Sequence, residues 1–290
     1  MPSTIPFAVD SHLHAHWPQK YPYSGPTGSR VEADDVARSS GSLFPTLLAS
    51  GVTHALIIHP GAYGTDNRAT LDAIAASNGR AKGIAGMKMD AGDEEFIDFK
   101  SKGMVGVRVS LIHTDSETFS RPEVDAFLAR CKKHDFFVEV FAAAKTWPVI
   151  IPKLVDSGVK LIVEHTGYPI ISEGISQPGF QAVLKLGRST DTVIKVGAGF
   201  RLSQGGEPYD DVKPFAMEVV SAFGPDRCIW GSDWPFLNPQ NGSVTRPFSW
   251  PLEYELEFSA LERWLPDHET REAILWKTPA RLFGFHEVKA

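Results

Sequence analysis

Cysteine, positive charge and long apolar runs are all scarce in this chain of 290 residues. Its two cysteines, Cys131 and Cys228, argue against a disulfide framework or a cysteine metal site and favour a reducing, cytoplasmic location. A net charge of −6 leaves no basic surface for phosphates, so we expect no nucleic-acid partner. The N-terminus MPSTIPFAVD lacks the basic and apolar segments of a signal peptide, and no apolar run reaches about 18 residues, so we expect no membrane partner.

Apolar residues are abundant enough for a large core, since 42% of the chain is hydrophobic and 22% is charged. We expect one domain over residues 1–290, because α/β barrels reach this length as a single unit. Eight short apolar segments alternate with segments of helical period, which is typical of a parallel sheet with crossover helices. The predicted strands are residues 6–10, 53–59, 81–88, 104–110, 136–141, 160–165, 192–197 and 227–231. This α/β pattern predicts a closed (β/α)8 barrel, or TIM barrel, with an open doubly wound sheet as the alternative.

Two long connections follow predicted strands, over residues 17–38 and 235–251. Both are rich in proline, glycine and polar residues, which indicates irregular loops. In a (β/α)8 barrel the loops after the carboxyl ends of the strands build the active site, so we expect both loops over the same barrel mouth.

The segment AVDSHLHAH places three histidines at alternate positions directly after the first predicted strand. In an extended chain His12, His14 and His16 project to one side, as does Asp10. His16 lies furthest out, and we assign it to the following loop. The cluster predicts a site only where other reactive side chains reach the same place.

Two more reactive side chains follow predicted strands further along the chain. His165 ends an apolar strand in LIVEHTGYP, and Asp233 follows the last strand in CIWGSDWPF. A barrel brings these strand ends together at one rim with His12 and His14. The four residues are donors that suit Zn²⁺ or a similar divalent ion, and Asp233 is alternatively a general base.

Charged residues inside predicted strands need a partner or a ligand. Arg108 interrupts its strand in GVRVS, and Arg201 follows a strand in GAGFRLS. Each forms either a salt bridge or a bidentate contact with a substrate carboxylate. Glu139 in FFVEVF and Lys195 in VIKVG are expected to form structural ion pairs. His59, at the end of its strand, is either a ligand contact or, as is commoner for a loop histidine with no partner in view, an incidental residue.

The motifs HLH, GVRVS, EHTGYP, KVGAGFRLS and WGSDWPF resemble, in this order, those of the amidohydrolase superfamily in its amidohydrolase-2 branch. The similarity covers nearly the whole chain, and within the branch it points to lactonases of the 2-pyrone-4,6-dicarboxylate hydrolase type. The resemblance implies a TIM barrel in which Asp233 acts on water as a general base. It also implies that His12, His14 and His165 polarise the lactone carbonyl.

The resemblance further implies that Arg108 and Arg201 bind carboxylates of the substrate. The chain departs from the pattern at three places, one of them Phe236, which stands where the dicarboxylate hydrolases have a histidine after DWP. Where the dicarboxylate hydrolases have a second arginine, it offers His113, and for the tyrosine of their first long loop the candidates are Tyr21 and Tyr23. We therefore count His113 and Tyr21 among the predicted substrate contacts, and the identity of the lactone stays open.

The resemblance leaves the metal open. Members of the wider branch hold zinc with the set that matches His12, His14, His165 and Asp233, whereas the pyrone-dicarboxylate hydrolases work without a metal. We expect no required cofactor, with Zn²⁺ or another divalent metal at these four residues as the alternative.

The predicted function is hydrolysis of a carboxylated lactone, similar to 2-pyrone-4,6-dicarboxylate, a muconolactone or a sugar lactone, by water that Asp233 activates. One alternative is a metal-dependent decarboxylase of an aromatic or muconate acid, and another is a non-catalytic protein that binds an acid metabolite. The expected partner is thus a small anionic molecule. A homo-oligomer is a further hypothesis, because aromatic residues cluster at Trp250, Tyr254, Trp264 and Trp276, although such residues more often belong to a core.

Overall fold

The computed structural model describes residues 5–26, 28–112, 119–237 and 250–287, with residues 250–253 described by their backbone alone. In these residues eight parallel strands follow one another around one sheet in chain order. The sheet closes because the backbone amide of His14 donates to the carbonyl of Trp234 at 2.9 Å and that of Asp233 donates to His12 at 2.7 Å. The predicted (β/α)8 barrel is confirmed, and the doubly wound alternative is wrong. The strands are β1 (Val9–Leu13), β2 (His54–Ile58), β3 (Ala81–Ala85), β4 (Met104–Ser110), β5 (Phe137–Phe141), β6 (Lys160–Val163), β7 (Val193–Gly197) and β8 (Cys228–Gly231).

Helices fill the connections and cover the outside of the barrel. Several begin with proline in the first turn, where no intrahelical donor is lost. On the helix that begins at Pro122, the buried side chains are Val124, Phe127, Leu128 and Cys131, one apolar stripe of helical period. In the described residues the α-helices are α1 (Leu43–Ala49), α2 (Arg68–Ala76), α3 (Asp93–Ser101), α4 (Pro122–Lys133), α5 (Trp147–Ser157), α6 (Pro178–Ser189), α7 (Gly199–Leu202), α8 (Lys213–Phe223), α9 (Trp250–Trp264), α10 (His268–Glu272) and α11 (Thr278–Phe283).

The first strand differs from its prediction. It spans Val9–Leu13 rather than residues 6–10, so His12 lies inside the strand and not after it. Its register with β2 is irregular between Asp10 and Leu13. Such an irregularity interrupts the alternation of side chains. Asp10 accordingly bonds to the amide of Ser232 at 3.0 Å and to the hydroxyl of Tyr254 in α9 at 2.7 Å, and the prediction that it shares a face with the histidines is wrong.

The barrel interior is apolar at the end where the strands begin. Phe283 and Phe285, at and after the end of α11, pack into this layer, and the ring of Phe283 lies 5.4 Å from that of Phe137 at the start of β5. A second and larger apolar layer lies between the sheet and the helices. Apolar packing in the interior therefore leaves the opposite end of the barrel for polar side chains. The interior layer draws one or two residues from each contributing strand: Val9, Leu56, Ile58, Ile84, Phe137, Ile162, Val193 and Ile229.

The C-terminal aromatic residues pack within the chain. Tyr254 and Trp264 are buried in the layer between sheet and helices, and the ring of Trp276 lies 5.1 Å from that of Phe7. The side chain of Trp250 lies outside the described residues. Intramolecular packing accounts for these aromatic positions, and the homo-oligomer stays a prediction. Among the described helices, none combines the length and the apolar character that a membrane span requires.

Candidate active site

A cavity of about 370 Å³ opens at the carboxyl ends of the strands. Pro26 and Ser29 of the first long loop form part of its wall, as do Pro235 and Leu237 of the second. Both loops therefore reach the mouth as predicted, and residues 238–249 lie outside the described residues. The volume suits one small ring compound with its substituents. The side chains in the wall that can ionise are His14, His16, His59, Arg108, His165, Arg201 and Asp233.

Asp233 directly follows the last strand and adopts a left-handed backbone conformation, with φ 61°. Non-glycine residues rarely adopt this conformation, and its strain is typical of functional sites. One carboxylate oxygen, Oδ1, lies 3.1 Å from Nε2 of His14 and 3.5 Å from Nε2 of His12, while Oδ2 contacts the guanidinium of Arg201. Burial favours the neutral acid, but Arg201, His14 and His165 together outweigh it and hold the pKa of Asp233 well below its ordinary value. At neutral pH Asp233 is thus an ionised proton acceptor.

His14 is oriented by a backbone carbonyl. Its Nδ1 lies 2.8 Å from the carbonyl oxygen of Ile58 at the end of β2, and this oxygen can only accept a hydrogen bond. The Nδ1 proton therefore points to Ile58, and Nε2 points to Asp233. A histidine held in this way directs Nε2 to a reacting atom or an ion.

His12 lies fully buried beneath the cavity, between two charged side chains of the barrel interior. Its Nδ1 is 3.1 Å from Nζ of Lys195 and 3.5 Å from Oε1 of Glu139. Lys195 and Glu139 form an ion pair with 2.6 Å between Nζ and Oε2, which agrees with the expectation that each has an ionic partner. Burial and then the neighbouring Lys195 lower the pKa of His12 well below its ordinary value, so its ring is neutral.

His165 reaches the cavity from a tight turn, because β6 ends at Val163 and not at residue 165 as predicted. His165 and Thr166 both have left-handed backbones, with φ 45° and 59°. The ring of His165 lies 4.5 Å from that of His12, between centroids, and also packs against Phe141. Burial lowers the pKa of His165 to about 3, so this imidazole is also neutral at neutral pH.

Arg108 points toward the cavity but already has a carboxylate partner. Its Nε and Nη2 donate to the two oxygens of Glu164 at 2.7 and 2.8 Å, a bidentate fork. Burial opposes the charge of Glu164, but Arg108 overcomes it and lowers the pKa of that carboxyl. Arg108 therefore forms the salt bridge that the sequence left as the alternative, while its position in the cavity wall keeps it within reach of a ligand.

Arg201 connects the base to the second long loop. It lies on the short helix α7 after β7, and its guanidinium contacts Asp233 and donates from Nη2 to the carbonyl of Leu237 at 3.0 Å. Arg201 also lines the cavity. In the described residues both cavity arginines are thus paired with protein carboxylates, and a bound anion would have to share them.

The two candidate tyrosines lie at different places. Tyr21 is not among the residues that line the described cavity, and its hydroxyl donates to Asp72 at 2.6 Å, so its contact with a substrate stays a prediction. Tyr23 instead supports the site, since its hydroxyl bonds to Nδ1 of the cavity residue His16 at 3.0 Å. The predicted contact His113 lies outside the described residues.

Two residues have larger roles than the sequence indicated. His59 lines the cavity and directs Nε2 to the carbonyl of Gly64 at 2.8 Å, so it is a wall residue rather than an incidental one. The sequence places Glu164 directly before His165 where an apolar strand stops, and the structure shows that it holds Arg108. One sequence feature could have indicated buried ion pairs here. Arg108 in β4 and Glu139 in β5 are register partners, so charges of opposite sign lie side by side in neighbouring strands.

Two sets of side chains bring metal-binding atoms within 4.8 Å of one another: His12, His14 and Asp233, and His12, Glu164 and His165. His14 suits a metal, because a carbonyl fixes its Nδ1 proton. The other donors suit it less well. His12 faces Lys195 through Nδ1, which leaves the ring proton on Nε2, and the carboxylates of Asp233 and Glu164 are engaged by arginines. With these contacts in place, neither set of side chains fits a divalent ion.

Known proteins resemble this chain along nearly its whole length. The family model of the amidohydrolases matches residues 9–285. A protein named 4-sulfomuconolactone hydrolase, from Hydrogenophaga intermedia, is 29% identical over 289 residues, which are 96% of this chain and 89% of that protein. A solved structure described as a probable 2-pyrone-4,6-dicarboxylic acid hydrolase, from Acinetobacter baumannii with citric acid bound, has a TM-score of 0.81 at 27% identity. It covers 96% of this chain and 99% of the other.

The same fold also occurs with a metal. A solved amidohydrolase from Burkholderia multivorans with bound zinc has a TM-score of 0.72 at 18% identity, over 97% of this chain and 100% of the other. Relatives in fold thus include a zinc-bound protein, and the described part of this chain has residues of the types that bind zinc. The extent of the family match, together with the barrel and the residues at its mouth, shows that the chain belongs to the amidohydrolase family.

Proposed function

We propose that this protein is a hydrolase that opens a lactone bearing a carboxylate, and that Asp233 is the general base for the attacking water. The observation that carries the proposal is the placement of Asp233. It is an ionised carboxylate in the wall of a ring-sized cavity, oriented by His14 and Arg201. The relatives named as sulfomuconolactone and pyrone-dicarboxylate hydrolases support a cyclic ester as the substrate.

In the proposed reaction Asp233 takes a proton from water as the water oxygen attacks the lactone carbonyl carbon. The carbonyl oxygen becomes an oxyanion, which His165 and the guanidinium groups of Arg108 and Arg201 stabilise from the cavity wall. Collapse of this intermediate breaks the bond to the ring oxygen, which takes the proton back from Asp233. One water is consumed, and the product is a ring-opened hydroxy acid that releases one proton at neutral pH.

The contact between Arg201 and Asp233 gives the substrate carboxylate a part in activating the base. In the free site Arg201 lowers the pKa of Asp233, which makes it a weak base. A substrate carboxylate that binds Arg201 shares its positive charge, so the pKa of Asp233 rises on binding. A carboxylated lactone is therefore activated in a way that an uncharged lactone is not.

We assign this reaction to a protein that requires no metal, since His12 presents a proton rather than a lone pair toward Asp233. Its own side chains supply the base and the positive groups that zinc would otherwise supply. The two cysteines are buried free thiols, which fits the cytoplasmic setting that we propose.

Proton release during turnover tests the proposal directly. The full-length protein, freed of metal and assayed with a chelator, is given pyrone carboxylates, muconolactones, sugar-acid lactones and their uncharged counterparts, with a pH indicator to follow acid. We expect turnover of at least one carboxylated lactone, and a much slower rate for its uncharged counterpart. The matched control is Asp233→Asn, which keeps the shape of the side chain and removes the base.

Three results would count against the proposal. Turnover that requires added Zn²⁺ would overturn its metal-free form. Release of CO₂ from an aromatic or muconate acid without lactone opening would favour the decarboxylase alternative. Tight binding of an acid with no turnover by the unmodified protein would favour a binding protein.

A further inference from the structure

Lys195 is a buried cation that does not line the cavity, yet it touches the histidine next to the proposed base. It lies in β7 with 2% of its side chain exposed. Its Nζ is 2.6 Å from Oε2 of Glu139 and 3.1 Å from Nδ1 of His12. The proposed reaction assigns Lys195 no role, and a buried lysine is costly unless it is well paired.

The contact between Lys195 and His12 has one hydrogen-bond direction in either charge state of the pair. A lysine ammonium has three donors and no acceptor, so Nδ1 of His12 must accept. If Lys195 instead gives a proton to Glu139, the lone pair of its Nζ accepts a hydrogen bond from that carboxyl. One of the two remaining N–H groups of Lys195 still donates to Nδ1 of His12. A neutral ring whose Nδ1 accepts carries its proton on Nε2.

His14 provides the opposite case two residues away. The carbonyl of Ile58 accepts from Nδ1 of His14, so the backbone places a proton on that nitrogen. A backbone carbonyl keeps a proton on Nδ1 when Nε2 gives up its own contact to bind a metal, whereas an amine at Nδ1 does not. The two histidines of the HLH motif are therefore held in different ways, although both direct Nε2 to Oδ1 of Asp233.

We propose that Lys195 is a positioning residue that fixes His12 with its proton on Nε2, and that it thereby prevents zinc from binding at His12, His14 and Asp233. The proposal rests on the proposed metal-free lactone hydrolysis. The Nε2 proton of His12 faces Oδ1 of Asp233 at 3.5 Å, so it favours the ionised base electrostatically without a hydrogen bond to it. Lys195 thus supports Asp233 through His12 and does not itself touch the substrate.

Removal of the amine takes this constraint away. In Lys195→Met, Oε1 of Glu139 still lies 3.5 Å from Nδ1 of His12, and a zinc ion at Nε2 would leave the ring proton on Nδ1, facing this carboxyl. Methionine has no group that donates to Nδ1, so the ring is free to carry its proton there and to offer the Nε2 lone pair to a metal beside His14 and Asp233. The variant gains the metal-binding set that the unmodified protein does not offer.

The first test is the tautomer of His12 in the unmodified, metal-free protein. Correlation spectra of histidine labelled with ¹⁵N in the ring distinguish a proton on Nε2 from one on Nδ1, and His12→Gln identifies the signal. We expect the Nε2 proton for His12, with His14 protonated at Nδ1 as an internal control. A His12 ring that carries its proton on Nδ1 alone overturns the proposal, whether or not any lysine variant folds.

The second test is calorimetric titration of the metal-free full chain with Zn²⁺. We expect Lys195→Met to bind Zn²⁺ roughly 10- to 100-fold more tightly than the unmodified protein, and its His12 proton to appear on Nδ1 once zinc is bound. The matched control is Lys185→Met, which removes a lysine from α6 and should leave Zn²⁺ affinity unchanged. Equal affinities in Lys195→Met and the unmodified protein would overturn the proposal. Neither test uses a lactone, so failure to find a lactone substrate would count against the proposed function alone.

Discussion

The salt bridge between Arg108 and Glu164 at the cavity wall allows a quantitative test of how buried charges stabilise this protein. Both side chains are largely buried, with 13% and 0% exposed, and two hydrogen bonds of 2.7 and 2.8 Å join them. Charge centres about 4 Å apart at an effective dielectric constant of about 20 attract each other by about 4 kcal/mol. Glu164→Gln leaves the guanidinium buried without its charge partner, so we expect the free energy of unfolding to fall by about 3–5 kcal/mol.

The assay is a double-mutant cycle measured by urea unfolding of the metal-free protein. Arg108→Met should cost a similar amount, because it leaves Glu164 unpaired. The double variant should lose much less than the sum of the two single changes, since neither charge is then left alone. The reasoning is refuted if the two losses add, or if Glu164→Gln lowers the free energy of unfolding by less than about 1 kcal/mol.

Three further predictions concern the cavity. Asp233→Asn should lower kcat roughly 10²- to 10⁴-fold, while calorimetry should find an unchanged affinity for the product acid. Equal kcat values in the two proteins would show that Asp233 is not the general base. Arg201→Gln should raise KM for a carboxylated lactone roughly 10- to 100-fold. The acid limb of the pH profile of kcat/KM should also move to higher pH, because the pKa of Asp233 rises toward its ordinary value. An acid limb at the same pH in both proteins would contradict the coupling between Arg201 and Asp233. The pKa of His165 is about 3 in the folded protein and about 6.5 in the unfolded chain, so between these pH values the unfolded chain binds more protons. The contribution of His165 to the free energy of unfolding is therefore fully present above pH 6.5 and is lost as the pH falls toward 3. His165→Asn should reduce the stability lost between pH 7 and pH 4 by up to about 3 kcal/mol in urea unfolding, and an identical pH dependence in both proteins would show that His165 is not the group responsible.

The barrel itself was predictable from local patterns. Strands that are buried on both faces read as continuous apolar runs, and helices such as α4 show a stripe of helical period after an initial proline. Strand ends were less predictable. The irregular register in β1 and the left-handed turn at His165 both depend on contacts with neighbouring strands, which no short segment specifies. The extent of one domain over residues 1–290 stays a prediction.

The members of the site were easier to predict than their partners. His14, His165, Arg108 and Asp233 all reach the cavity wall, because barrel geometry gathers strand ends whatever their separation in the chain. Which carboxylate holds which arginine depends on side-chain lengths and on the inward positions of three or four strands. The pairing of Arg108 with Glu164 could not be predicted for this reason, and neither could the hydrogen bond of Tyr21 to Asp72.

The apolar layer closed by Phe283 and Phe285 has a kinetic consequence. With the strand-start end of the barrel filled, a compound in the cavity leaves by the opening through which it entered. Product and substrate therefore compete for one passage and one site. Accumulated hydroxy acid should act as a competitive inhibitor, so the flux through this enzyme depends on how quickly its product is consumed.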